Sequence, residues 1–209
     1  MSGGSGHLPF DIADGSSSDA AAVPGLSYLD DWLTPDARGP LLADIDAAVW
    51  STQLKRRVQH YGHRYDYGRR SVASASPVDP APPLPDWARN QAARLLDAGL
   101  LDREADQVIV NEYLPGQGIS AHVDCVPCFG PVVAAISLGS GCLMDFTEPE
   151  DGTKLSVRLA PGSLLVMAGP ARLTWRHAIA ARRSDPGPFG RVPRGRRVSV
   201  TFRTVLKAV

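Results

Sequence analysis

From residue 107 to residue 205 the chain repeats short apolar runs separated by turn residues, and this repetition limits the possible folds. The candidate strands are residues 107–113, 119–124, 132–138, 142–146, 154–159, 163–168, 173–179 and 196–205. Within 154–159, polar and apolar side chains alternate as they do on a half-buried strand. Turn residues such as Pro161-Gly162 stand between the runs. Short strands at this spacing predict a sandwich or jelly roll.

The N-terminal half supplies helices that would buttress this sheet. Thr34-Pro35 starts the first helix, because Thr is a favoured cap and Pro fits the first turn. Its apolar face is predicted to comprise Leu41, Leu42, Ile45, Ala48 and Val49. A second helix is predicted over 86–99, with Gly99 as its stop. The expected fold class is therefore mainly β with flanking helices (α+β).

The beginning of the chain predicts a flexible tail. Residues 1–22 are rich in Gly, Ser, Ala and Asp and lack the basic start and apolar middle of a secretory signal. We therefore expect a tail over 1–24, one folded domain over 25–209 and a cytoplasmic, monomeric protein. No run of 18 apolar residues exists, so the sequence predicts no membrane span.

The residues that carry chemistry centre on His122-x-Asp124. On an extended segment these two side chains point the same way. A later histidine, His177, lies in a strand-like run. Two histidines and one carboxylate can occupy one face of a ferrous ion and leave positions open for a co-substrate and O₂.

There are three cysteines, Cys125, Cys128 and Cys142. This small, odd number argues against a disulfide framework. Cys125-x-x-Cys128 could belong to a zinc site, but no second cysteine pair completes it. Buried or half-exposed thiols near the metal are the favoured interpretation.

The net charge is 0, which is not the global signature of a nucleic-acid-binding protein. Basic residues nevertheless interleave with aromatic ones over residues 54–70. Aromatic rings stack on bases while arginines hold the backbone, so this stretch could be a lid over a nucleotide. The candidate substrate contacts are Arg57, His60, Tyr61, Tyr65 and Tyr67. A tyrosine-rich strand pair packed on the edge of the core is the open alternative.

The last strand carries a regular polar row. Its polar members, Arg197, Ser199, Thr201 and Arg203, alternate with Val198, Val200 and Phe202. The row lines either a polar interior or the solvent-facing side. An arginine held in an interior could pair with a small dicarboxylate. Arg197 and Arg203 lie roughly 20 Å apart on a straight strand, so both reach one small ligand only if the strand bends or one acts at its edge.

Together these elements resemble the AlkB family of Fe(II)/2-oxoglutarate-dependent dioxygenases. The elements that carry the resemblance are Asn111-x-Tyr113, His122-x-Asp124, His177 and Arg197-x5-Arg203. It covers roughly residues 25–206. Segments 57–62, 111–119, 137–140, 144–146 and 163–167 resemble most the oxygenase domain of the tRNA-modifying (AlkB homolog 8-like) branch.

The resemblance implies a double-stranded β-helix (jelly roll) with N-terminal helices and a lid that recognises a nucleotide. It implies that His122, Asp124 and His177 bind iron and form the catalytic centre, and that Fe(II), 2-oxoglutarate and O₂ are required. The positions that match the co-substrate pocket are Asn111, Tyr113, Arg197, Ser199 and Arg203. Among these, Arg197 resembles the arginine that pairs with the distal carboxylate of 2-oxoglutarate.

The implied activity is oxidation of alkylated nucleobases in DNA or RNA by repair-type oxidative demethylation, with nucleic acid as the partner. Hydroxylation of a modified tRNA wobble uridine is an alternative, as is an oxygenase acting on a protein or small molecule. Val126 stands where repair members often carry an acidic residue, which favours a non-cationic target. The lone-domain length favours repair. A non-catalytic binding domain is disfavoured because all the residues of the predicted metal site are present.

Overall fold

The computed structural model describes residues 18–66, 71–72 and 81–206. The helices are α1 (Ser18–Ala21), α2 (Pro35–Ala47), α3 (Asp86–Asp97) and α4 (Gly169–Leu173). The strands are β1 (Leu26–Leu29), β2 (Val58–Tyr61), β3 (Tyr65–Asp66), β4 (Ser71–Val72), β5 (Gln107–Tyr113), β6 (Ile119–His122), β7 (Phe129–Gly139), β8 (Cys142–Thr147), β9 (Lys154–Leu159), β10 (Leu164–Met167), β11 (Arg176–Ile179), β12 (Ser184–Gly187), β13 (Gly190–Pro193) and β14 (Arg197–Val205).

Two antiparallel sheets form the jelly roll that the sequence predicts. The major sheet has the order β1-β10-β7-β14-β5-β2, and the minor sheet has the order β6-β11-β8-β9. One apolar cluster joins Val133 and Leu165 of the major sheet to Met144 and Phe146 of the minor sheet. The space between the sheets is therefore a packed interior. Polar side chains of β5, β14 and β11 point into it from the two sheets.

Helices α2 and α3 cover the opposite face of the major sheet. Leu41 and Ile45 of α2 and Ala92 and Leu95 of α3 pack into a second apolar cluster. Gly99, the predicted stop, has a φ of 68°, a left-handed conformation that favours glycine. These helices keep the major sheet in place and leave its inner face for function.

Details of α2 differ from the sequence prediction. Pro35 opens the helix as predicted, but the Thr34 side chain makes no capping hydrogen bond. The helix ends at Ala47, so Val49 falls outside its apolar face and is 92% exposed. The periodicity of the sequence continued for two residues beyond the backbone hydrogen bonds of the helix.

The polar row on β14 faces the interior between the sheets. Val198, Val200 and Phe202 pack toward the helices. Because side chains alternate along a strand, the polar row occupies the other face. All four polar residues are buried, so the solvent-facing alternative is excluded.

Two further segments differ from expectation. The predicted strand over 173–179 begins only at Arg176, because Gly169–Leu173 forms α4. At the N-terminus, Ala20 and Val23 are buried between the sheets, so the packed structure begins before residue 25. Among the described residues no helix is long and apolar enough to cross a membrane.

Candidate metal and co-substrate site

The structure brings His122, Asp124 and His177 together. Each offers one ligand atom, and these atoms all lie within 4.8 Å of one another. The centroids of the two imidazole rings are 4.3 Å apart, and His122 Nε2 is 3.5 Å from Asp124 Oδ1. His177 comes from β11, and His122 ends the neighbouring strand β6. Strand pairing thus closes a gap of more than fifty residues along the chain.

A β-bulge aims His122 at this site. Ile119 pairs with Ile179 and His122 pairs with His177, so two residues of β6 stand opposite Ala178 alone. Without the extra residue, Ile119 and His122 would face opposite sides of the sheet. The bulge lets Ile119 pack inward while His122 reaches Asp124 and His177, the other two candidate metal ligands.

Hydrogen bonding and burial prepare the histidines for a metal. His122 Nδ1 lies 2.8 Å from the carbonyl oxygen of Ser120, so the proton resides on Nδ1 and the lone pair on Nε2. Burial lowers the pKa of His177 to about 4, so this ring is neutral at physiological pH. A metal binds the neutral ring.

Asp124 supplies the negative charge. Its Oδ2 accepts from Arg203 Nε at 3.0 Å and lies 2.9 Å from Arg203 Nη2. Burial alone would raise the pKa of Asp124, but Arg203 and His122 outweigh it and hold that pKa well below its usual range. The carboxylate is therefore ionised and ready to bind a divalent cation.

A buried arginine fixes the backbone that carries Asp124. Arg172 on α4 donates to the carbonyl oxygens of Asp124, Cys125, Phe129 and Gly130 at 3.0–3.2 Å. These four bonds gather the loop after β6 around one guanidinium. Sequence reasoning missed Arg172, because carbonyl acceptors leave no signal in the side-chain pattern.

The same loop corrects the prediction for the cysteines. Cys125 and Cys128 form a disulfide, whereas the sequence argued for free thiols. Cys142 is the buried free cysteine of β8. A small, odd cysteine count argues against a framework of several bridges, but it does not exclude one local bridge within Cys-x-x-Cys.

The predicted co-substrate residues form a second cluster on the inner face of the major sheet. Arg197 pairs with Tyr113, and Ser199 pairs with Asn111, on neighbouring strands β14 and β5. Arg197 is 3% exposed, and none of its three guanidinium nitrogens has a hydrogen-bond partner among the described residues. Leaving a buried cation unpaired is costly, and an anionic ligand at Arg197 would offset that cost. A carboxylate of 2-oxoglutarate fits this guanidinium.

Arg203, by contrast, lies at the metal end of the same row. Its guanidinium donates to Asp124 and to Gln107 Oε1, the latter at 3.3 Å, and its carbon lies 4.9 Å from the centroid of the Phe129 ring. The two arginines therefore do not share a ligand, in line with their separation along the strand.

Two of the predicted substrate residues are committed to the fold. Arg57 makes a bidentate ion pair with the buried Glu112, with both distances at 2.6 Å. Tyr61 is buried against Trp87 and donates to Gln59, on the sheet face that packs on the helices. A ring packed there cannot stack on a base at the metal site, so the predicted role of Tyr61 is corrected to that of a core residue.

Two others lie on the metal side of the sheet. His60 pairs with Ile109, and burial first, then Arg64 and Arg203, lower its pKa to about 4. The Tyr65 ring lies 5.6 Å from that of Phe129, which also contacts Arg203. Their contact with substrate stays a prediction. Tyr67 lies outside the described residues.

Comparisons with known proteins agree with this geometry. Residues 25–203 match the family described as the 2OG-Fe(II) oxygenase superfamily. Uncharacterized protein L905 of Acanthamoeba polyphaga mimivirus is 33% identical over 195 residues, which cover 90% of this chain and 88% of that protein. The tRNA (carboxymethyluridine(34)-5-O)-methyltransferase alkbh8 of Xenopus tropicalis is 34% identical over 166 residues, which cover 78% of this chain.

The chain spans only 26% of that methyltransferase, and 31% of its macaque counterpart. Among solved structures, OsALKBH1 is similar with a TM-score of 0.68 at 20% identity, covering 87% of this chain and 97% of that one. A likeness at this identity concerns the fold alone.

Proposed function

The chain belongs to the 2OG-Fe(II) oxygenase superfamily and, within it, to the AlkB family, and on this premise we propose that it oxidises a carbon atom bound to a nucleobase in RNA or DNA. Enzymes of this superfamily are dioxygenases that use Fe(II), 2-oxoglutarate and O₂. One observation carries the assignment of the site. A His-Asp-His triad shares an interior with a buried arginine that has no hydrogen-bond partner among the described residues.

In the proposed mechanism His122, Asp124 and His177 would hold the iron. Arg197 pairs with the distal carboxylate of 2-oxoglutarate, and Asn111 and Tyr113 contact the same molecule. Fe(II), O₂ and 2-oxoglutarate supply the oxidising power, with the co-substrate converted to succinate and CO₂ while one oxygen atom enters a substrate C–H bond. An oxidised N-methyl group leaves as formaldehyde, whereas a hydroxyl on a carbon-bound side chain stays.

The protein's contribution is position and charge. Arg203 keeps Asp124 anionic, and Arg172 fixes the loop on which Asp124 stands. The apolar cluster between the sheets, which includes Met144 and Phe146, excludes water from the inner end of the site. Holding the ligands in one geometry before binding lowers the cost of assembling the reactive complex.

The charge around the metal bears on the substrate class. Arg172 and Arg203 both contact the Asp124 segment, and Arg64 and Arg56 act on His60. Val126, on the exposed rim after Asp124, adds no carboxylate. Asp124 offsets the charge of Arg203, and without a further carboxylate at position 126 a cationic alkylated base gains no charge pairing there, which supports a neutral or anionic target. The sequence slightly favoured repair-type demethylation; the charge of the site supports a neutral target, such as a modified tRNA uridine.

The test compares substrates directly. Iron-loaded protein is incubated with 2-oxoglutarate and methylated DNA, methylated RNA or whole tRNA, and succinate and modified nucleosides are measured by mass spectrometry. We expect nucleic acid to stimulate succinate release, with a neutral uridine modification oxidised at least about tenfold faster than cationic 1-methyladenine. Succinate release that responds only to a protein or small molecule would refute the nucleic-acid assignment.

A matched pair of variants on β11 tests the metal site. His177→Ala removes a proposed ligand, while Arg176→Ala changes the exposed neighbour on the opposite face of the strand. We expect the first to abolish succinate release and the second to keep it within about twofold. Full turnover by His177→Ala would remove the triad assignment.

A further inference from the structure

Arg56 reaches the predicted co-substrate cluster from outside the jelly-roll strands. Its Nε donates to Asn111 Oδ1 at 2.9 Å, and its guanidinium carbon lies 5.9 Å from the centroid of the Tyr113 ring. Both partners belong to the inner face of β5, beside the buried Arg197, whose guanidinium has no hydrogen-bond partner within the part of the chain that the structure describes. Arg56 thus faces the interior in which a dicarboxylate would bind.

Strand register explains why Arg56 rather than Arg57 takes this position. Val58 pairs with Asn111, and the Glu112 amide donates to the carbonyl oxygen of Arg57. Successive side chains of an extended segment point to opposite faces. The Arg57 side chain therefore turns toward Glu112 on the helix side, and Arg56, in the bend that precedes β2, contacts Asn111 on the other face.

The contact with Arg56 fixes the orientation of the Asn111 amide. An asparagine amide has one acceptor oxygen and one donor nitrogen. Because Arg56 occupies the oxygen, the NH₂ group of Asn111 is the part left to act on another group, and it can only donate. A donor beside Arg197 suits a carboxylate oxygen and does not suit a second cation.

Neighbouring contacts hold Arg56 in place. Gln117 Nε2 donates to the carbonyl oxygen of Lys55 at 2.8 Å, and Ser51 exchanges backbone hydrogen bonds with Val58. The segment over 51–57 is therefore closed at its ends by the pairing of Ser51 with β2, and Lys55 ties it to the turn between β5 and β6. An arginine held this way loses little further freedom when a ligand binds.

We propose that Arg56 is a positioning residue for 2-oxoglutarate, which orients the Asn111 amide as a donor and adds a second positive charge next to Arg197. This inference rests on the proposed function only in that the co-substrate binds the Arg197 pocket. It assigns to the N-terminal segment, rather than to the jelly roll alone, a share of co-substrate affinity and selection for dicarboxylates.

The experiment separates orientation from charge with three variants. Arg56→Ala removes both, Arg56→Gln keeps an amide donor, and Arg56→Lys keeps the charge. Lys55→Gln, the exposed neighbouring cation, is the matched control. Binding of 2-oxoglutarate to Mn(II)-loaded protein is measured by calorimetry, together with the melting temperature with and without 2-oxoglutarate, and with KM and kcat in the succinate assay.

We expect Arg56→Ala to weaken 2-oxoglutarate binding about tenfold, the loss typical of one charge-assisted hydrogen bond, with smaller losses for Arg56→Gln and Arg56→Lys. KM for 2-oxoglutarate rises while kcat stays within about twofold, because uniform binding is lost. The ligand-free melting temperature stays near that of the wild type, and Lys55→Gln binds normally.

Two results would overturn the proposal. One is wild-type affinity in Arg56→Ala. The other is an equal fall in melting temperature with and without 2-oxoglutarate, which would make Arg56 a purely structural residue. If the wild-type protein itself binds no 2-oxoglutarate, the co-substrate pocket assigned under the proposed function fails instead.

Discussion

Arg197 and Arg203 lie on the same face of one strand but differ in their electrostatic environments. Arg203 pairs with Asp124 and Gln107 and lies over the Phe129 ring. Arg197 is equally buried, yet its guanidinium has no hydrogen-bond partner among the described residues. One strand thus carries Arg203, whose charge is paired with a carboxylate of the protein, and Arg197, whose charge is available to a ligand.

The difference separates stability from binding. A buried ion pair strongly destabilises the fold when one member is lost, because the other charge remains uncompensated. Loss of a buried charge that has no partner leaves no other charge uncompensated. The desolvation of such a charge opposes folding unless an anion binds to it. The Arg203 end of β14 is therefore a satisfied ion pair, and the Arg197 end is the proposed co-substrate site.

The largest effect is expected from Arg203→Met. It leaves the Asp124 carboxylate without its closest cation, so metal-free protein should lose about 3–5 kcal/mol of stability in urea unfolding. Mn(II) should restore part of that loss, since the ion supplies the missing positive charge. The same substitution at Arg103, whose ion pair with Asp106 is exposed, should cost less than about 1 kcal/mol. Equal losses at the two positions would contradict the assignment of Arg203 to a buried structural pair.

A smaller effect is expected from Arg197→Met, and it should fall on 2-oxoglutarate binding rather than on the stability of the ligand-free protein. Binding of 2-oxoglutarate to Mn(II)-loaded protein should weaken about a hundredfold by calorimetry, because the pairing with the distal carboxylate is lost. The ligand-free protein should keep or gain thermal stability, since an unpaired buried cation is replaced by an apolar chain.

Arg176→Met on the exposed face of β11 is the control for Arg197→Met and should leave both quantities near those of the wild type. If Arg197→Met unfolds the ligand-free protein, Arg197 has a structural partner and the contrast with Arg203 disappears.

The sequence predicted the strands and the metal triad because both leave local signals. Residues 107–113 and 154–159 were predicted with the bounds that the structure has, since alternation and turn residues mark their ends. His122 and Asp124 are close in sequence, and His177 was found through the resemblance as well as through its strand.

The remaining features depend on contacts that the side-chain pattern does not record. The bulge opposite Ala178 exists only through strand pairing, and Arg172 acts through carbonyl oxygens. The register of β2 on β5 directs the Tyr61 side chain toward the helices. It also places Arg56, just before β2, next to Asn111 on the other face of the sheet. A single sequence does not fix that register, so basic and aromatic residues of the same segment could not be assigned to faces in advance.

The smallest expected effect concerns His60, whose pKa reports how far the electrostatic influence of Arg203 extends. Burial, Arg64 and Arg203, in that order, lower the pKa of His60 to about 4. The unfolded chain takes up a proton on this residue below about pH 6.5 while the folded chain does not, so stability falls as the pH drops from about 6.5 to 4. His60→Gln should reduce that loss by about 1–2 kcal/mol between pH 7 and pH 4.5 in urea unfolding of metal-free protein, a figure discounted for partial exposure. In an NMR titration the pKa of His60 should rise in Arg203→Met and stay unchanged in Arg197→Met, because of these two arginines Arg203 is the one that lowers the pKa of this ring. A rise in both variants would show that Arg197 projects its charge toward the metal end as well, and the two arginines would no longer be electrostatically separate.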